Sequence, residues 1–178
     1  MIFRLFPRNR QDVTIRALYG AIVAQARQPS FYLGYDVPDT VNGRFDMVVL
    51  HLALFLDRME AGTGPMRRLG QAVFDLFCRE MDGHFREAGV GDLKVPKEMQ
   101  QMARAFYGRR SVYREALAAP GNEALAEALM RNIYPERPGA QAGAARLAAY
   151  VRMASESLSR QNGLADGQLA WPDPGADG

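Results

Sequence analysis

The chain has 178 residues, of which 48% are hydrophobic and 24% are charged, and its formal net charge is +2. A net charge this small excludes a strongly basic protein that binds nucleic acid through its overall charge. The single cysteine, Cys78, excludes an internal disulfide bond and any metal site built from several cysteines.

The first ten residues, MIFRLFPRNR, mix apolar side chains with arginines. Arg4 interrupts the short apolar stretch, so we do not expect a secretion signal here. We treat residues 1–10 as a separate basic and apolar segment. Two interpretations stay open for it: contact of residues 2–10 with an anionic membrane surface, or docking onto the protein's own core.

Helical periodicity dominates the rest of the chain, and no segment shows the alternation of a β-strand. Glycines, prolines and capping residues separate the helical segments. The predicted helices cover residues 11–28, 44–60, 66–88, 96–118, 122–133 and 140–160. The pattern therefore predicts an all-α fold with one helical domain, residues 11–160.

Two segments between and after these helices lack the helical pattern. Residues 29–38 are predicted to be a connector rich in aromatic side chains. Residues 161–178 form a Gly/Pro/Asp-rich tail, whose last residues we expect to fray. Within that tail, Leu169 and Trp171 carry enough apolar surface to pack back on the domain.

The densest apolar run of the chain, Phe45–Leu56, lies in the helix predicted at residues 44–60. This run is too short to span a bilayer, which takes about 20 residues. Apolar side chains on two sides of the helix predict that neighbouring helices enclose it. We therefore expect a single compact domain of about six helices around this central helix.

A narrow polar row crosses the same helix, with Arg44, His51 and Arg58 at intervals of seven residues. The row is either the solvent-facing edge of the helix or the basic floor of a groove. In the second case, apolar side chains such as Met47 and Leu54 would help to bind an acidic or partly apolar partner. Acid–base catalysis by His51 is a third interpretation, although the sequence offers no local carboxylate or nucleophile beside it.

Three polar residues fall on helix faces that are otherwise apolar. Glu80 and His84 share the apolar face of helix 66–88, and Arg110 lies within the apolar stripe of helix 96–118. Because an unpaired buried charge is strongly destabilising, we predict that Glu80 pairs with Arg110, with His84 nearby. The alternative is that the three residues lie at the rims of their helices.

Motifs for enzyme chemistry are mostly absent from the sequence. There is no Walker-type phosphate loop, GVGDLK is a very weak match to a dinucleotide fingerprint, and the two histidines do not form an HExxH zinc motif. We therefore predict no catalytic residue, no metal site and no cofactor. A closed pocket that places His51 or His84 beside a carboxylate would reopen the enzyme interpretation.

The stretch FYGRRSVYR, residues 106–114, interleaves aromatic side chains with arginines, a pattern that suits RNA or phosphate. On a helix, however, Phe106 and Tyr113 belong to the apolar stripe, which leaves Arg109 in solvent. The alternative function is thus an RNA- or ribosome-binding helical module that requires a contiguous basic patch. Its candidate residues are Arg104, Arg109, Arg110 and Arg114. The small net charge makes nucleic acid the less favoured partner.

Three segments carry a more specific pattern: PDTVNGRFDMVVLHLALFL, then LGQAVFDLFCREMDGHFREAGVGDLKVPKEMQQMARAFYGR, then LAEALMRNIY. Together they resemble the ubiquinol–cytochrome c chaperone family, and the resemblance extends over about residues 11–160. Arg44 and His51 lie within its GRFDM and LH elements. The family pattern does not say which residues contact the client protein.

The resemblance implies an all-α, non-enzymatic protein that binds newly made cytochrome b and promotes assembly of the ubiquinol–cytochrome c reductase (cytochrome bc) complex. The implied partners are cytochrome b or other components of the complex, and a second assembly factor is a further candidate. The implied location is the side of the membrane where cytochrome b is made. That is the cytoplasmic face of the inner membrane in a bacterium and the matrix side in mitochondria.

Overall fold

Residues 7–175 are described by the computed structural model, with side chains from residue 10 onward. Within this range the chain forms seven α-helices, one short 3₁₀ helix and no β-strand. The α-helices are α1 (Pro7–Ala26), α2 (Pro29–Gly34), α3 (Val41–Glu60), α4 (Gly64–Glu87), α5 (Val95–Ala118), α6 (Glu123–Ile133) and α7 (Gln141–Arg160), and the 3₁₀ helix is Gly163–Asp166.

Local sequence signals set most of the helix ends. The side chain of Thr40 caps α3 by accepting a hydrogen bond of 3.1 Å from the Gly43 amide. Prolines occupy the first turns of α2, α4 and α5, where a missing amide hydrogen has little cost. Six of the seven α-helices correspond to predicted ones, with ends displaced by a few residues.

The central position of α3 is confirmed. It packs against α1, α4, α5, α6 and α7, and the side chains of Leu50, Leu52 and Phe55 are fully buried. Each such side chain contributes about 1.5–3 kcal/mol to the stability of the fold. The predicted all-α domain around a central apolar helix is therefore the observed architecture.

Helix α2 was not predicted, because its six residues were interpreted as a connector. Pro29 favours its first turn, and Phe31 anchors it by entering the core with no exposed surface. The ring of Phe31 packs edge-on against Tyr150 of α7, with centroids 4.9 Å apart. A helix this short depends on that tertiary contact, since it is too short to be stable alone.

The C-terminal tail crosses the domain after α7. Leu169 and Trp171 are partly buried and pack against the core. The Gln25 side chain donates a hydrogen bond of 2.9 Å to the carbonyl of Pro172, and the Tyr35 hydroxyl donates one of 2.8 Å to the carbonyl of Pro174. The predicted fraying falls in part on residues 176–178, which lie outside the described residues.

The predicted membrane contact through residues 2–10 falls mainly on residues 2–6, which also lie outside the described residues. That contact therefore stays a prediction. In the part of the chain that the structure describes, no helix combines the length and the hydropathy needed to cross a membrane.

Candidate functional site

An open groove of about 990 Å³ runs between α1, α3, α4 and α5. Its lining is mainly apolar, and a smaller number of polar side chains accompany the apolar ones. The apolar lining consists of Tyr19, Val23, Val41, Phe45, Val48, Val49, Met81, Phe85, Met102, Ala105 and Phe106. The charged and titratable lining consists of Arg27, Arg44, Glu80, His84, Glu98 and Arg109.

Aromatic rings from α3, α4 and α5 pack against one another, and two of them, Phe45 and Phe106, line the groove. Phe77 of α4 is fully buried, and its ring centroid lies 6.3 Å from that of Phe45 on α3 and 6.1 Å from that of Phe106 on α5. Phe74 adds a further ring 4.9 Å from Phe106. Packing of this kind fixes the spacing of the helices, so the groove is built into the fold.

An ion pair joins Asp46 of α3 to Arg109 of α5, and Arg109 also lines the groove. The Asp46 side chain is only 12% exposed and that of Arg109 is 25% exposed. Burial raises the pKa of the Asp46 carboxyl, and the hydrogen bond from Arg109 opposes this change. The expectation that Arg109 is left in solvent is wrong, because α5 packs on α3 and brings its guanidinium to this carboxylate.

We expect Arg109→Ala to lower the free energy of unfolding by about 2–3 kcal/mol, because it leaves Asp46 partly buried without a partner. Adding Asp46→Asn to that variant should restore part of the loss by removing the unpaired charge. Arg104→Ala, an exposed arginine of the same helix, should change stability by less than about 0.5 kcal/mol. Urea denaturation measures all three. Equal stability of the Arg109 and Arg104 variants would contradict a supporting role of the pair.

Arg44 lies at one end of the groove and is exposed. Its guanidinium Nε donates a hydrogen bond of 2.6 Å to Asp39 Oδ1, and this hydrogen bond lowers the pKa of the Asp39 carboxyl. The guanidinium carbon also lies 5.8 Å from the ring centroid of Tyr32. Arg44 is the one member of the predicted polar row that lines the groove, so partner contact through it stays a prediction.

His51 is fully buried and does not lie on a solvent-facing row. Its Nδ1 lies 2.8 Å from the carbonyl oxygen of Met47, and its Nε2 lies 3.0 Å from the hydroxyl of Tyr150. A carbonyl only accepts, so Nδ1 carries the proton and Nε2 accepts from Tyr150. Gln25 donates to the same Tyr150 oxygen over 2.9 Å. Burial lowers the pKa of His51 to about 4, against its ordinary value of 6.5.

The prediction that Met47 and Leu54 of α3 help to form a partner-binding groove is wrong. Met47 has no exposed surface and Leu54 only 3%, so neither side chain is available to a partner. On this side of α3, His51 contacts Tyr150 of α7. Arg58 donates hydrogen bonds of 2.9 Å and 3.1 Å to the carbonyls of Leu158 and Gln161. It therefore satisfies backbone acceptors at the C-terminal end of α7 and is not part of a basic row.

The predicted pair between Glu80 and Arg110 is also wrong. Arg110 Nε donates a hydrogen bond of 2.7 Å to Asp57 Oδ1, and its Nη2 forms an ion pair with Glu60. Both acids belong to α3. Arg110 shares a recess with Gly70 of α4, and Glu80 lies ten residues, or about 15 Å, further along that helix. Glu80 and His84 instead lie together on the groove lining, where α4 borders the opening.

The two alternative interpretations lose support from these positions. Arg109, Arg110 and Arg114 each pair with a carboxylate of α3, which leaves no contiguous basic patch among them. His84 is exposed on an open groove and His51 is sealed in the core, so neither histidine occupies a closed pocket beside a carboxylate. Across residues 10–175, no group of three or more His, Cys, Asp or Glu side chains is arranged to hold a metal ion.

Most of the groove lining was missed by the sequence reasoning. One signal was available: Glu80 and His84 lie on a helix face that is otherwise apolar. Polar side chains on such a face indicate that the face borders an open groove and is not completely covered by other helices. It was interpreted as a sign of a buried ion pair. The contribution of α1, through Tyr19 and Val23, had no local signal because it depends on how α1 packs between α3 and α4.

The fold and the groove define the class by architecture: over the described residues, an all-helical domain with an open, mainly apolar groove between four of its helices. The model of the Ubiquinol-cytochrome C chaperone family matches residues 34–171. This is well over half of the chain, so the chain belongs to that family. The predicted resemblance is thereby confirmed.

Known proteins with similar sequences bear related names. Ubiquinol-cytochrome c reductase complex assembly factor 1 of Mus musculus and that of Homo sapiens are each 25% identical over 168 residues, or 92% of this chain. The chain spans 57% and 56% of the lengths of these two relatives. The corresponding protein of Xenopus laevis is 23% identical, and the chain spans 84% of it.

A solved structure is also similar over almost the entire chain. The crystal structure of the Cbp3 homolog from Brucella abortus has 39% sequence identity and a TM-score of 0.88, and the match covers 99% of each chain. The similarity therefore includes all four helices that line the groove.

Proposed function

We propose that this protein is a non-enzymatic assembly chaperone that binds newly made cytochrome b and promotes assembly of the ubiquinol–cytochrome c reductase complex. The observation that carries the proposal is the open apolar groove of about 990 Å³ in a member of this chaperone family. The names of the curated relatives, which are assembly factors of that complex, support it.

The groove suits a client that is itself largely apolar. A membrane protein outside its final complex exposes helix faces that water solvates poorly, and a groove between helices covers such a face. Met81 of α4 and Met102 of α5 both line the groove and are partly buried. Methionine side chains are flexible and polarisable, so the walls adapt to different apolar side chains of the client.

The energetics favour reversible binding. Three or four client side chains buried in the groove would contribute roughly 5–12 kcal/mol, while association costs at least about 4 kcal/mol in lost motion. The net affinity is then modest, so partner subunits of the complex can displace the chaperone without nucleotide hydrolysis. Glu80, Glu98 and Arg44 border the groove and would contact polar groups of the client at its ends.

The proposed partners are cytochrome b, or other components of the same complex, and a second assembly factor. The proposed location follows from the client. The protein would act on the side of the membrane where cytochrome b is synthesised: the cytoplasmic face of the inner membrane in a bacterium, or the matrix side in a mitochondrion.

Deletion of the gene, followed by complementation, tests the proposal. Without the protein, we expect the level of cytochrome b and the activity of the complex to fall strongly. Met102→Glu should fail to restore both, because it places a charge in the groove. Met153→Glu is the matched control, since Met153 is 36% exposed on α7 and does not line the groove. Normal levels of cytochrome b and activity after deletion would contradict the proposed function.

A further inference from the structure

The most exposed aliphatic side chains lie at one end of the molecule, where α3 begins and α4 ends. Among the described residues, six large hydrophobic side chains are exposed, and the three most exposed are Leu33, Val41 and Leu93, at 85%, 85% and 98%. We call these three residues the aliphatic rim. Single exposed apolar side chains are common on protein surfaces, so their shared position is what requires an explanation.

Shared neighbours place Leu33 beside Val41, and the antiparallel arrangement of α3 and α4 places Leu93 at the same end of the molecule. Val41 is the first residue of α3 and lines the groove. Leu33 shares a recess of about 240 Å³ with Arg27 and Arg44, and both arginines also line the groove. Gly70 of α4 lies against Met59 of α3 and Phe77 lies against Phe45, so α4 runs antiparallel to α3 and ends where α3 begins. Leu93 lies in the loop that follows α4.

Cations accompany the aliphatic rim. Lys94 and Lys97 are the only lysines of the sequence. Lys94 directly follows Leu93, and Lys97 lies in the first turn of α5. In the described part of the chain, neither lysine forms an ion pair, and neither does Arg27. The stem of a lysine lies along an apolar surface while its ammonium group reaches outward to phosphate.

We propose that the aliphatic rim inserts into the surface of a lipid bilayer, so that the groove opens towards the membrane. The rim residues come from three separate segments and project from helix ends and a loop. A bilayer accepts such separate side chains without a complementary pocket, whereas protein interfaces concentrate their affinity in aromatic and arginine side chains that fill pockets. The two lysines and Arg27 would contact lipid phosphates.

The charge of this end of the molecule sets the balance between insertion and electrostatic attraction. Asp39 and Asp92 already pair with Arg44 and Arg86. Glu87 and Glu98 are acidic residues of the adjoining turns of α4 and α5, so they offset two of the three unpaired cations. Aliphatic insertion should therefore supply most of the affinity, and anionic lipid should add a few-fold increase.

Flotation of the full chain with vesicles tests the inference, and it requires no client protein. The vesicles contain phosphatidylcholine alone or phosphatidylcholine mixed with phosphatidylglycerol. We expect the wild-type protein to float with both, and more with the anionic mixture. The triple variant Leu33→Ser, Val41→Ser and Leu93→Ser should lose about tenfold or more in partitioning, with an unchanged circular dichroism spectrum because the three side chains are exposed.

Val13→Ser is the matched control. Val13 is 61% exposed on α1 and precedes the groove residue Val23 by about 15 Å along the helix. This variant should float as the wild type does. Failure of the wild type to float, or a loss below tenfold in the triple variant, would overturn the inference. Because the N-terminal residues are intact in every variant, membrane binding through residues 2–10 would appear as equal flotation of all three proteins.

Discussion

Replacing Gly43 with alanine should lower the free energy of unfolding by about 3 kcal/mol or more. A Cβ atom on this residue would lie 2.0 Å from the carbonyl oxygen of Pro38 and 3.0 Å from its carbon. Both are backbone atoms, so no flexible side chain can move aside. The first turn of α3 would have to separate from the segment before it, and with it the groove residues Asn42 and Phe45.

Gly20→Ala is the control for this prediction. Gly20 is also a helical glycine, but apart from the adjoining backbone of its own helix nothing lies within 4 Å of a Cβ placed there. Alanine favours the helix over glycine by about 0.5–1 kcal/mol, so this variant should be slightly more stable than the wild type. Denaturant unfolding of both variants measures the contrast. A Gly43 variant as stable as the Gly20 variant would show that α3 does not approach Pro38 so closely.

Acidification should destabilise the protein through His51. Its pKa in the folded state is about 4 and that of the unfolded chain is close to 6.5, so only the unfolded state takes up a proton between these values. The contribution of the neutral His51 to the free energy of unfolding is complete above pH 6.5. It decreases as the pH is lowered towards 4, by about 3 kcal/mol in total. The imidazole resists protonation because it is sealed beneath Tyr150 and Trp171.

The contribution of His51 is isolated by comparison with His51→Gln. Carboxyl groups also titrate at acidic pH, but they are the same in both proteins, so the wild type should lose more stability than the variant over this window. His84→Gln, which leaves the buried cluster intact, should behave as the wild type does. If His51→Gln does not fold, the ¹⁵N shifts of the wild-type imidazole decide: at about pH 5 His51 should still be neutral, with the proton on Nδ1. A charged ring in the folded protein would contradict the account.

Helix positions were predictable because their signals are local. The helix boundaries at Pro29, at the GTGP stretch and at Pro96 follow from the local sequence. The central position of α3 was predictable because the helix is apolar on two sides. Helix α2 was not predictable in this way. It depends on Phe31 contacting Tyr150, a residue more than a hundred positions away.

The candidate site was less predictable, because helix periodicity identifies the face on which a residue lies but not the helix that packs there. His51 and Arg58 were assigned to a polar row that α7 in fact covers. Arg110 was matched with Glu80 on α4, although its carboxylate partners lie on α3. Only Arg44, at the uncovered end of α3, lies on the groove as the groove interpretation required.

Site-specific photo-crosslinking during synthesis of cytochrome b tests most directly whether the groove holds the client. A photoreactive amino acid replaces Met102, which lines the groove, or Met153, which is on α7 away from it. We expect crosslinks from position 102 to newly made cytochrome b and few or none from position 153. Absence of cytochrome b from the products at position 102, or equal capture at both positions, would contradict the account.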